Sequence, residues 1–128
     1  DPERMLQLVE AVDSPGFKLL LDIANFDGPD AGEQSWRTYQ LAKAHIAHVH
    51  LKDRNADGSF AWFGEGVIPA RKLLRAMQED AYDGVLAMEP HIAAIHHTGQ
   101  RASPREMYEC YVRNGRKINE IVGDILRE

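Results

Sequence analysis

The sequence has a single cysteine and no long apolar run. One cysteine in 128 residues excludes an internal disulfide, and Cys110 lies in a helical pattern typical of a small buried apolar residue rather than a reactive thiol. No apolar run approaches the roughly 20 residues that a membrane span needs. The first four residues do not resemble a signal peptide. We therefore expect a cytoplasmic protein without a membrane partner.

Positive charge is also scarce. The chain has 15 basic and 20 acidic residues, a net charge of −5, and the basic residues are scattered along it. Such a distribution lacks the basic surface that nucleic-acid binding requires, so we expect no nucleic-acid partner. With 44% hydrophobic and 27% charged residues, the composition is otherwise typical of a globular domain.

Strand and helix patterns alternate along the chain. Apolar runs at residues 17–23, 46–52 and 84–89 predict three strands covered on both faces. Residues 53–66 are polar and glycine-containing, and we predict one long loop there, with no hairpin signal between adjacent strands. The alternation favours parallel βαβ units with right-handed crossovers.

Four helices complete the pattern, and their first residues carry start signals. Asp1 and Pro2 predict an N-cap and first turn, and Pro69 opens the third helix. Capping boxes are predicted for the second and fourth helices, from the pairs Asp30 with Glu33 and Ser103 with Glu106.

Ionisable residues fall where the predicted strands end, namely Asp22, His50 and Glu89. They are spaced roughly as βα units of about 30 residues require. Carboxyl ends of parallel strands meet at one edge, so the three side chains can converge there. Two carboxylates and an imidazole suit Mn²⁺, Mg²⁺, Co²⁺ or Zn²⁺ and leave positions open for substrate oxygens.

Each residue also has a simpler interpretation. Asp22 could cap the following loop, and His50 could be a hydrogen-bonded core residue. Glu89 follows an apolar run, where a buried carboxylate needs a partner. Together the three favour a metal site.

The alternation of period two along the second predicted strand places Ile46, His48, His50 and Lys52 on the inner face, with Ala47, Val49 and Leu51 toward the helices.

Four motifs carry a family resemblance: LDIAN at 21–25, HVHLKD at 48–53, GEGVIP at 64–69 and YDG at 82–84, followed by Glu89. In this order they resemble the last strands of xylose isomerase-like barrels, which include sugar epimerases, hydroxypyruvate isomerase, inosose dehydratase and endonuclease IV. The resemblance implies that residues 1–128 are the carboxyl-terminal part of one (β/α)₈ TIM-barrel domain, with about three parallel strands and their helices.

The resemblance also implies residue roles. Asp22, His50 and Glu89 match three metal ligands, and Glu89 also matches a catalytic acid/base. The fourth ligand would be a glutamate on an earlier strand, outside this chain. Lys52 is a candidate substrate contact or, equally, one half of a structural ion pair. His48 and Glu65 are expected behind the ligands, Glu65 as a hydrogen-bond anchor between its loop and the site.

Two positions depart from the family pattern. Asn25 stands where a histidine is frequent, and Ala56 stands where the epimerases have a substrate-binding arginine. Asn25 and Arg54 are therefore further substrate-binding candidates. His91, His96 and His97 are expected at the surface rather than as ligands.

The implied activity is a divalent-metal-dependent sugar or sugar phosphate isomerase or epimerase, with Mn²⁺ as the first choice of ion. Glu89 would move a proton next to a carbonyl through a metal-stabilised enediolate, with a pKa raised by desolvation. The alternatives are an inosose-dehydratase-type dehydratase or lyase and a catalytically incomplete fragment. A nuclease is disfavoured by the net charge of −5.

The expected partners are a small carbohydrate and either the missing amino-terminal half of the barrel or a second chain, including a homo-oligomer. Three strands cannot close a barrel, so we expect open sheet edges and an inner face with Leu20, Ile46 and Val85 toward solvent.

Overall fold

The structure is a computed structural model that describes residues 1–92 and 102–128. In chain order its elements are helix α1 (Pro2–Val12), strand β1 (Leu19–Asp22), helix α2 (Ala31–Ala42), a 3₁₀ turn (Lys43–His45), strands β2 (Ile46–Leu51), β3 (Asp53–Arg54) and β4 (Phe60–Ala61), helix α3 (Ala70–Glu79), strand β5 (Val85–Met88) and helix α4 (Pro104–Ile125).

The central sheet has three strands in the order β1-β2-β5, and both neighbouring pairs are parallel. This confirms the predicted arrangement of adjacent parallel strands. In the register, Asp22 lies opposite His50, and His50 lies opposite Ala87. The carboxyl ends of all three strands are therefore at one edge of the sheet.

Helices α1 and α4 begin as the sequence signals predict. The Oδ1 atom of Asp1 accepts a hydrogen bond of 3.1 Å from the Glu3 N–H. The capping box of α4 is confirmed, because Ser103 Oγ accepts from the Glu106 N–H and the Glu106 carboxylate accepts from the Ser103 N–H. No helix within the described residues combines the length and the hydropathy that a bilayer span requires.

The capping box predicted for α2 is wrong. Asp30 is the N-cap residue, but its side chain makes no capping hydrogen bond. Its backbone, at φ −97° and ψ 15°, is not in the extended conformation that directs an N-cap side chain back to the helix.

The core lies between the sheet and the helices. Val49 and Leu51 point into it, as predicted, and so do many apolar residues of the helices and loops. On the other face Leu20 and Val85 are 48% and 54% exposed, also as predicted. Cys110 is buried, which agrees with its interpretation as an apolar residue.

Ile46 corrects the predicted alternation. It is buried in the helix-side core, whereas the neighbouring Ala47 is exposed. The cause is a register irregularity: Leu19 pairs with Ile46, but the next residue, Leu20, pairs with His48. The extra residue on β2 resets the alternation, so the inner face begins at His48.

Residues 53–66 are not a plain loop, which corrects a second prediction. The short strands β3 and β4 pair antiparallel, with Asp53 opposite Ala61 and Arg54 opposite Phe60. The Asn55 N–H donates to the Ser59 carbonyl at 2.8 Å, and Gly58 has a φ of 88°. The Asp57-Gly58 pair is thus a genuine hairpin signal within this loop.

Asp53 organises the segment that follows the hairpin. Its side chain is 1% exposed, and its carboxylate accepts hydrogen bonds of 2.8–3.1 Å from four backbone N–H groups, those of Arg54, Gly64, Gly66 and Ile68. Burial raises the pKa of Asp53, and the four donors offset part of that rise. A Cβ atom at Gly66 would lie 2.3 Å from Asp53 Oδ1. This role was not predicted from the sequence.

We expect Asp53→Ala to lower the free energy of unfolding by at least about 3 kcal/mol, because it leaves four N–H groups without their acceptor, each worth about 1–3 kcal/mol when buried and unpaired. Urea unfolding followed by circular dichroism measures this. The control is Asp57→Ala in the same hairpin. The exposed carboxylate of Asp57 accepts hydrogen bonds from the N–H and the hydroxyl of Ser59. Equal unfolding midpoints for the two variants would contradict the role of Asp53.

Candidate metal centre

Three ionisable side chains meet at the carboxyl edge of the sheet. Asp22 is the last residue of β1, His50 lies near the end of β2, and Glu89 directly follows β5. The Glu89 N–H donates to the carbonyl of Leu51 at 3.1 Å, so the pairing of β2 and β5 also fixes the position of Glu89. Parallel pairing therefore brings the three predicted ligands together.

The side chains of Asp22, His50 and Glu89, which we call the candidate metal centre, offer ligand atoms that all lie within 4.8 Å of one another. His50 Nδ1 is 3.2 Å from Glu89 Oε2 and 3.8 Å from Asp22 Oδ2. Two carboxylate oxygens and one imidazole nitrogen fit a divalent ion such as Mn²⁺, and three protein ligands leave coordination positions open. That these residues hold an ion stays a prediction.

Lys52 lies beside the candidate metal centre. Its Nζ atom is 2.6 Å from Asp22 Oδ2 and 2.9 Å from Glu89 Oε2, and its side chain is only 4% exposed. A buried ammonium group requires such partners, because desolvation of an unpaired charge is costly. The structure therefore contains the ion pair that was one of the two interpretations of Lys52. Its contact with substrate stays a prediction.

The pKa of Glu89 differs from the sequence-based expectation. Burial raises it, but the hydrogen bond from Lys52 and the electrostatic effects of Lys52, His50 and His91 together outweigh burial, so that the pKa lies below its ordinary value. The expectation that desolvation raises the pKa of Glu89 above its ordinary value is wrong for this arrangement, because the Lys52 ammonium contacts the carboxylate. Glu89 is held in the charged form that can accept a proton.

His48 lies behind His50 on the same strand face. The two rings contact edge to face, with centroids 5.1 Å apart. His48 Nε2 is buried and has no hydrogen-bond partner among the described residues. This placement suits the predicted position behind the ligands.

The remaining predicted residues have other contacts. Asn25 is exposed, and its backbone N–H donates to the Asp22 carbonyl at 3.4 Å. Glu65 forms an ion pair with Lys117 of α4, a contact that does not join it to the candidate metal centre. Arg54 bonds to backbone and side-chain oxygens of the β1–α2 loop, including Asp27 at 3.1 Å.

Two residues near the candidate metal centre were not identified from the sequence. His91, expected at the surface, is largely buried, and its Nε2 lies 3.6 Å from Glu89 Oε1. Phe60 packs its ring against that of His91. The signal that could have located Phe60 is the Asp57-Gly58 turn before it. His96 and His97 lie outside the described residues.

Comparisons with known proteins agree with the geometry. A family model described as "Xylose isomerase-like TIM barrel" matches residues 1–121. An uncharacterised protein of Methanocaldococcus jannaschii is 30% identical over 89 residues, which are 69% of this chain and 30% of that protein. The crystal structure of a xylose isomerase domain protein from Planctomyces limnophilus superposes with a TM-score of 0.68 at 16% identity.

The superposition covers 97% of this chain and 43% of the Planctomyces protein. At this identity it shows a shared fold. The chain thus spans less than half of the length of either relative.

We expect His50→Ala to weaken Mn²⁺ binding at least about tenfold, because it removes the only nitrogen ligand of the candidate metal centre. Isothermal titration calorimetry with MnCl₂ measures this. His45→Ala is the matched control, since His45 lies in the 3₁₀ turn before β2, at the opposite end of that strand. An unchanged Mn²⁺ affinity in His50→Ala would rule out His50 as a ligand.

Lys52→Met is expected to strengthen Mn²⁺ binding by about tenfold, because the ammonium no longer competes for the two carboxylate oxygens that the ion would share. The measurement is the same titration. Lys43→Met serves as control, since Lys43 pairs with Asp80 on the outer surface. A weaker Mn²⁺ affinity in Lys52→Met would contradict competition between the ammonium and the ion.

Proposed function

We propose, because the chain belongs to the xylose isomerase-like TIM barrel family, that it forms part of a divalent-metal-dependent enzyme. That enzyme would isomerise or epimerise a small sugar or sugar phosphate. The observation that carries the proposal is the convergence of Asp22, His50 and Glu89 within 4.8 Å at the carboxyl ends of parallel strands. This is the edge at which barrels of parallel strands place their active sites.

Asp22, His50 and Glu89 would hold the ion, with Mn²⁺ as the first choice. Such an ion would polarise a substrate carbonyl and stabilise the negative charge that develops on its oxygen. Three protein ligands would leave coordination positions for substrate oxygens. A fourth ligand, a glutamate from another part of the barrel, is part of the proposal.

Glu89 is proposed as the base. Its carboxylate, kept ionised by the neighbouring ammonium, takes a proton from the carbon next to the carbonyl. The electron pair of that C–H bond forms a carbon–carbon double bond, and the carbonyl π electrons move to oxygen. Return of the proton to the other carbon, with transfer of the hydroxyl proton between the two oxygens, isomerises the sugar. Return of a proton to the opposite face of the same carbon epimerises it, and the glutamate proposed from another part of the barrel would supply that proton.

Lys52 is proposed to contact a substrate oxygen. Its Nζ atom lies within hydrogen-bond distance of two proposed ligands, so an ion that takes over those oxygens would release an N–H donor toward the substrate. The ion pair and the substrate contact would then be two positions of one side chain.

A dehydratase is the second candidate, and the buried ammonium of Lys52 supports it. Elimination of water needs a proton donor for the leaving hydroxyl as well as a base for the C–H proton. Lys52 and Glu89 lie 2.9 Å apart and could supply these two functions.

The proposed partners are a small carbohydrate and the rest of a barrel, supplied by further chain or by a second copy. Within the described residues, β1 and β5 each pair with β2 alone, and the side chains of Leu20 and Val85 are exposed, which supports this. The whole protein's activity would then depend on both parts.

Proton abstraction predicts that, with Mn²⁺ and in D₂O, the protein exchanges deuterium into the carbon next to the carbonyl of its sugar. We expect Glu89→Gln to lower the exchange rate by a factor of about 10²–10⁴, because the amide cannot accept the proton. Proton NMR of a panel of ketoses and aldoses measures this, with Glu79→Gln at the end of α3 as control.

The same spectra separate the two candidates, since a dehydratase product has lost water whereas an isomer has not. Exchange at the wild-type rate in Glu89→Gln would remove Glu89 as the base.

A further inference from the structure

The hairpin formed by β3 and β4 carries an aromatic ring to the candidate metal centre. The centroid of the Phe60 ring is 4.8 Å from that of His91, with the planes at 80°, and 5.9 Å from Lys52 Nζ. Both neighbours contact Glu89, Lys52 at 2.9 Å and His91 at 3.6 Å. The ring therefore borders the same carboxylate that we propose as the base.

Phe60 is not explained by packing in the core. The nearby Phe63 is 2% exposed and belongs to the hydrophobic core, and Trp62 packs under the guanidinium of Arg113 at 3.9 Å. Phe60 is 37% exposed, and the ring contacts that the structure gives it are to His91 and Lys52. An exposed aromatic face beside polar site residues costs free energy unless a ligand covers it.

The hairpin that carries the ring is fixed in position. Arg54, opposite Phe60 in the ladder, donates hydrogen bonds to the Ala24 carbonyl at 3.4 Å and to the Phe26 carbonyl. It also bonds to the Gly58 carbonyl at 3.3 Å within the hairpin turn. Arg54 thus ties the hairpin to the loop that follows β1. A ring held in this way is preorganised for binding.

We propose that Phe60 is a specificity-determining residue, which stacks against the C–H face of a cyclic polyhydroxyl substrate bound at the candidate metal centre. This inference rests on the proposed function and deepens it. The face of an aromatic ring is electron-rich, and hydrogens on oxygen-bearing carbons are electron-poor, so the two surfaces attract.

The distance between the Phe60 ring and Lys52 agrees with this role. A carbon skeleton in van der Waals contact lies about 4 Å above the ring. Lys52 Nζ lies 5.9 Å from the ring centroid, so a hydroxyl of a stacked ring would come within reach of the ammonium. An open-chain sugar of three carbons has no comparable face and would gain little from Phe60.

The test compares binding of D-xylose and myo-inositol, which are cyclic, with binding of dihydroxyacetone, which is acyclic, to the Mn²⁺-saturated protein by calorimetry. Phe60→Ala should weaken binding of the cyclic compounds by about tenfold. Phe60→Leu should recover little of the loss, and Phe60→Trp, which restores an aromatic face, most of it.

Three measurements act as controls. Mn²⁺ affinity should be unchanged in every Phe60 variant, binding of dihydroxyacetone should change less than about twofold, and Tyr108→Ala on the exposed side of α4 should bind all three compounds as the wild type does. Circular dichroism verifies that each variant is folded, which is expected because Phe60 is outside the core.

The outcomes separate this inference from the proposed function. If the wild type binds the cyclic compounds and Phe60→Ala binds them equally well, stacking is overturned and the proposed function stands. Equal losses for cyclic and acyclic compounds, or a loss of Mn²⁺ affinity, also overturn stacking. If the wild type binds neither cyclic compound in the presence of Mn²⁺, this inference is overturned, and the deuterium exchange measured for the proposed function decides that function separately.

Discussion

The contact of one buried ammonium with two carboxylates determines how the charged side chains are arranged at the carboxyl edge of the sheet. Asp22 and Glu89 end up close together because β1, β2 and β5 are parallel and in register. Like charges at that separation repel, and their partial burial strengthens the repulsion. Lys52 compensates both charges, at 2.6 and 2.9 Å. The two carboxylates are therefore tolerated side by side, and the pKa of Glu89 lies below its ordinary value.

The three strands of the central sheet and the three converging residues could be predicted from the sequence, for clear physical reasons. Apolar runs such as that of β2 have few ways to be buried, and parallel strands bring their carboxyl ends to one edge. Because successive side chains of a strand point to opposite faces, His48, His50 and Lys52 lie on the same face of the sheet. The inference failed at Ile46, because an irregular register with Leu19 and Leu20 depends on the neighbouring strand and leaves no mark in the local pattern.

Features that depend on distant partners were also missed. The hairpin of β3 and β4 has only two residues in each strand, too few for a periodic signal. Asp53 ends a motif whose partners are backbone N–H groups up to 15 residues away, and every residue type except proline can supply an N–H. The lowered pKa of Glu89 likewise required the position of Lys52, since burial and an adjacent cation act in opposite directions.

The hydrogen bonds around Asp53 constrain one part of the loop at residues 53–68 and leave another part, the turn at residues 55–59, outside that constraint. Gly66 cannot carry a side chain, since a Cβ would lie 2.2 Å from the Arg54 carbonyl, so the segment after the hairpin tolerates little variation. The turn at residues 55–59 lies outside that cluster and is closed by its own hydrogen bonds. Changes in its length or sequence would shift the Phe60 ring while leaving the Asp53 cluster intact. Substrate preference could therefore diverge among descendants of such a protein without an accompanying loss of stability.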